Sequence, residues 1–154
     1  MSTSAESALE ALLAQLSSAV QRGRPLERAL VRQVLLALGA LLDEERGPEP
    51  QALVDRILAL LQPRASEWSA QLGAELEQAA IEYDQCVDPR YLSRPDYDLA
   101  YTLRARDRLR ARLLASAALG APLPEALERR IRATDERLAP YVSEEPRPDG
   151  PSPT

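Results

Sequence analysis

Lysine, histidine, phenylalanine and asparagine do not occur in this chain of 154 residues, and cysteine and tryptophan occur once each. Without histidine the commonest general base and imidazole metal ligand are missing, which excludes Ser-His-Asp triads and His-containing metal sites. One thiol, Cys86, cannot close an intramolecular disulfide or build a zinc or iron-sulfur site alone. No apolar run reaches the roughly 18 residues of a membrane span. The opening MSTSAESALEALL also lacks the basic and apolar regions of a secretion signal. The expectation is a cytoplasmic protein with no cofactor and no membrane partner. All basic residues are arginine, a bias we attribute to a GC-rich, bacterial genome.

Strand-like alternation is lacking too, and no segment repeats. What the chain has is hydrophobic residues at 45%, enough for one core but not two. They fall at helical spacing. Leu9, Leu12, Leu13, Leu16 and Val20 mark a first helix stopped at Gly23. Residues 29–42 are polar only at Arg32 and Gln33, which makes the second helix apolar nearly all round and therefore central, or else an oligomer interface. A third helix begins near Pro50. A fourth runs from an N-cap at Ser66 to about Val87 with Trp68, Leu72, Leu76, Ala79, Ala80 and Tyr83 buried. A fifth opens at Asp96 or Asp98 and ends at Gly120, and a sixth carries Leu127, Ile131 and Leu138 and stops at Pro140. The fold class expected is all-α: an antiparallel bundle of about six helices over residues 1–142, then a disordered, Pro-rich acidic tail at 143–154.

Net charge is -5, so any nucleic-acid role must rest on a local patch. The candidate is YTLRARDRLRARLL, residues 101–114. Projected on a helix, Leu99, Leu103, Leu109, Leu113, Leu114 and Ala117 gather on one side, with Arg106 and Arg110 among them. Arg104, Arg108 and Arg112 fall opposite, as a stripe that could meet phosphates or an acidic surface. The fourth helix carries acids and no base from Ala65 to Pro89. If the two helices form a hairpin turning near Leu92, Arg106 and Arg110 bracket Glu75 and Glu77. Glu75 and Glu82, a heptad apart, stand at the seam. Structural ion pairs among these five residues are the leading expectation, because an unpaired buried guanidinium is costly. An anion site on Arg106 and Arg110, and stems extended over the apolar surface to solvent, are the alternatives.

Residues 82–101, EYDQCVDPRYLSRPDYDLAY, hold four of the five tyrosines. Tyr83 and Tyr101 are expected to close the core, and Tyr91 and Tyr97 to be more exposed. Tyr and Arg are the side chains that carry binding hot spots, so Arg90, Tyr91, Arg94 and Tyr97 form the candidate partner-binding patch. Cys86 has no histidine base, although Arg90 could lower its pKa. The sequence thus points to a small bacterial interaction protein, an adaptor, regulator or assembly subunit without catalytic activity, able to form homo-oligomers. Two alternatives stand beside it: an accessory nucleic-acid-binding subunit, and an anion or small-ligand binding bundle.

Overall fold

A computed structural model describes residues 4–43 and 48–143, all of them helix or connecting turn with no strand. Six long helices form the bundle: α1 (Ser4–Gln21), α2 (Arg28–Leu42), α3 (Pro48–Leu61), α4 (Ala65–Cys86), α6 (Leu99–Ala118) and α7 (Glu125–Ser143). A single turn, α5 (Pro89–Leu92), lies between α4 and α6. The expected tail falls outside the described residues, except Ser143, which closes α7.

Placement follows from how much apolar surface each helix must hide. α2 buries Val31, Val34, Leu35, Leu38, Gly39 and Leu41 and packs against α1, α4 and α6, the central place its composition predicts. α3 lies on α1, with Ile57 and Leu61 fully buried, and α7 lies on α4. Trp68 is core, its indole N–H donating to the Leu61 carbonyl at 2.6 Å. Gly23 and Gly120 take φ of 64° and 71° after α1 and α6, where a side chain would be strained.

Two boundaries differ from expectation. Ser66 does not cap α4, because α3 runs through a 3-10 turn at Gln62–Arg64 straight into it, leaving no extended residue at that point. Glu67 instead accepts the Leu26 backbone N–H at 2.8 Å and pairs with Arg64 at 2.9 Å, fastening the entry of α2 to α4. Pro140 does not end α7. A proline removes one N–H, but the residues beyond it keep theirs, and the helix continues to Ser143. Of the two openings expected for α6, Asp98 is the one used, its carboxylate accepting from the Tyr101 N–H at 3.3 Å.

The rotation of α6 decides what its arginines do. Its buried residues are Thr102, Ala105, Leu109, Ala115 and Ser116, a mostly small-residue face, while Leu99, Leu103 and Leu113 flank it half-buried. Leu114 is only partly buried and Ala117 is exposed, so the leucine-weighted face expected from the sequence is turned aside. Close backbone approach is the reason. A Cβ added to Gly39 of α2 would stand 2.7 Å from the carbonyl carbon of Ala111, a contact that leaves no room for leucine at this crossing.

Candidate functional site

α4 and α6 do form the expected hairpin, with Glu75 facing Arg112 and Cys86 facing Thr102. Level residues lie close to one helical turn further along α6 than a turn centred on Leu92 requires. The ion-pair assignment changes accordingly. Arg106 pairs with Asp135 of α7 at 3.3 Å, and Arg110 with Asp43 at the end of α2 at 2.6 Å, both largely exposed. Neither meets Glu75, Glu77 or Glu82. Glu75 pairs with Arg32 at 3.4 Å, Glu82 accepts from Gln78 at 3.3 Å, and Glu77 is exposed.

The expected outer stripe is broken as well. Arg112 is drawn half inside, where burial lowers its pKa against the opposing pull of Glu75 and Glu82. Its Nη1 donates to the Arg108 carbonyl at 2.9 Å, and its Nε and the Glu75 Oε2 are enclosed without a hydrogen-bond partner. Arg104 lies over the Tyr101 ring at 5.8 Å. On α7, Arg130 reaches Asp84 at 3.6 Å and Arg132 reaches Glu128 at 3.5 Å. Arg104 and Arg108 stay exposed, so the part of the stripe that reaches solvent is reduced to these two.

Where α4 ends and α6 begins, the tyrosine-rich stretch folds into a cleft of about 340 Å³. Asp88 caps the turn that carries Tyr91 into it. The carboxylate accepts from the Arg90 N–H at 2.8 Å and from the guanidinium at 3.2 and 3.0 Å, and these bonds hold it below the usual carboxylate range. With Pro89 at the first helical position and Leu92 buried beneath, the single turn α5 is fixed. Tyr91 and Arg94 then project at the rim, the guanidinium 5.4 Å from the ring centroid. Tyr97 turns inward: its hydroxyl donates to the Cys86 carbonyl at 3.3 Å and meets the Thr102 hydroxyl, and burial raises its pKa. Tyr101, in the first turn of α6, completes the aromatic lining, and Glu82, Asp96 and Asp98 supply carboxylates.

No known family, curated protein or solved structure matches this chain. What the cleft can do must therefore come from its chemistry. Cys86 is half-buried and its thiol is pushed up by desolvation, outweighing Arg108 and the Thr102 hydrogen bond. Arg90 does not lower it, being occupied by Asp88. A thiol kept protonated without a base is a poor nucleophile.

Of the four patch residues singled out in the sequence, Tyr91, Arg94 and Tyr97 line the cleft and Arg90 does not. Two tyrosines exchange roles: Tyr101 is 53% exposed and Tyr97 is the partly buried one. The cause is the Asp98 cap, since residues before it leave the helical path and Tyr97 folds back under α4. Sequence reasoning missed Tyr101, Thr102, Asp96 and Asp98 as lining. The available signal was the three-to-four-residue spacing of Tyr91, Arg94, Tyr97 and Tyr101.

Proposed function

We propose that this chain is a small bacterial interaction protein, an adaptor, regulator or assembly subunit of the cytoplasm, that docks a protein partner at the α4–α6 turn. The observation that carries this reading is the exposure of Tyr91 and Tyr101, 48% and 53%, in the lining of a cleft of about 340 Å³ whose thiol is not activated. Large amphipathic rings left in water around a concavity provide apolar area and hydroxyl groups at small entropic cost, which is what protein recognition uses. No helix among the described residues is long and apolar enough to cross a membrane.

Affinity purification from the native host, wild type beside Tyr91→Ala, tests the reading. The expected result is loss of a partner from the variant while its thermal unfolding stays within about 0.5 kcal/mol of wild type, as for a surface substitution. A partner set unchanged by both Tyr91→Ala and Tyr101→Ala removes the cleft from consideration.

A further inference from the structure

We infer that the cleft is a receptor for a cationic side chain, so that the partner docks by inserting an arginine of a basic segment between Tyr91 and Tyr101. This rests on the reading of the cleft as a docking surface. Three carboxylates line it, Glu82, Asp96 and Asp98, against one cation, Arg94. Among the described residues Asp96 belongs to no ion pair, so its charge is free to act on an incoming group, while the charge of Glu82 is shared with Arg112. The face of a tyrosine ring is electron-rich and attracts a guanidinium, most strongly where water is partly excluded. Here the rings already do so within the chain, Arg94 over Tyr91 and Arg104 over Tyr101. A planar guanidinium can stack on a ring and hydrogen-bond a carboxylate in its own plane, which an ammonium cannot do as well. A net charge of -5 draws basic segments toward the molecule at long range.

Arg94 has a specific part in this arrangement. It is exposed and lies on the Tyr91 ring at the cleft, so it occupies in cis the place a partner's guanidinium would take. Removing it should tighten binding of an external cation, the opposite of what loss of a direct partner contact would do.

The test is an NMR titration of the intact chain with N-acetyl-arginine amide, with N-acetyl-citrulline amide as its neutral isostere and N-acetyl-glutamate amide as an anion. Saturable shifts centred on Cys86, Tyr91, Tyr97 and Thr102 are expected with the arginine amide alone. Asp96→Asn should weaken this binding, and Arg94→Ala should tighten it, each by about two- to fivefold. Equal shifts from citrulline would overturn the inference and leave the docking reading standing. Shifts that never saturate, or that spread over the whole acidic surface, or that Arg94→Ala weakens, overturn it too. Failure of the docking reading looks different: arginine amide still titrates the cleft, but the native partner ignores Tyr91→Ala.

Discussion

The α1–α3 half and the α7 face are held by different forces. In the first, fourteen apolar side chains from Leu9 to Leu61 are buried, those of α2 against α4 and α6 as well as α1. Among the buried residues of α7, Leu138 is the apolar one, with Leu127 and Ile131 half-covered. Its other attachments to α4 and α6 are polar. Asp84 accepts from the buried Thr134 hydroxyl at 3.1 Å and from Arg137, Tyr83 donates to Asp135, and Arg106 pairs with Asp135. Burial of hydrocarbon is strong but non-directional, and it selects which helices pack. Hydrogen bonds add little net energy, about 1 kcal/mol each, but they demand a particular rotation. The polar seam therefore sets the orientation of α7 more than its stability.

The comparison breaks first at its apolar end. Leu38→Ala, in the middle of α2 and fully buried, should cost about 2–5 kcal/mol by lost transfer energy and a cavity, and lower the denaturant midpoint of the whole bundle. Loss confined to α1 and α2, with α4–α7 unfolding separately, would show that the halves are not one cooperative unit.

A smaller and local effect is expected at the seam. Asp84→Asn should cost about 1 kcal/mol, because its partners are 42–44% exposed arginines, screened by water, plus one buried hydroxyl. Hydrogen exchange should rise across α7 and stay unchanged in α2. Raising the ionic strength should mimic the substitution in the wild type and add little to the variant.

The smallest effect at neutral pH belongs to Tyr83→Phe, since Arg106 still pairs with Asp135; at alkaline pH the deficit narrows and then reverses. Burial first, and then the hydrogen bond to Asp135, raise the Tyr83 pKa above its ordinary value. The folded chain thus keeps a phenol proton that the unfolded chain gives up near pH 10. Stability from this group is complete below about pH 10 and is lost as the pH climbs from there through the higher folded value. No lysine titrates in that window to obscure it. Thermal unfolding from about pH 9 to pH 11 should fall more steeply for wild type than for Tyr83→Phe; parallel curves would remove Tyr83 as the cause.

Much of the bundle was legible in the chain, and the limit has a definite cause. Leu9, Leu12, Leu13 and Leu16, the all-round apolar α2, Trp68 and Tyr83 were readable because burial is dictated by hydrocarbon at fixed spacing. Arg112 was not. On a helical projection it stands opposite the leucines, yet α6 turns its small residues inward and carries Arg112 toward Glu75 and Glu82. The site was half legible: composition singled out Tyr91, Arg94 and Tyr97, whereas their closure with Tyr101 depends on two caps, Asp88 and Asp98, whose positions fix the turn.

The sequence by itself determined the helices, their order, the central place of α2 and the absence of histidine chemistry, because spacing, apolar content and side-chain inventory are properties of the chain. Only the tertiary structure decided which carboxylate each arginine meets and which tyrosines stay in water. Those outcomes turn on the rotation and register of α6, set by the contact of Gly39 with Ala111 and by the length of the α5 turn. A shift of about one helical turn, worth little in buried area, exchanges every partner along a charged seam.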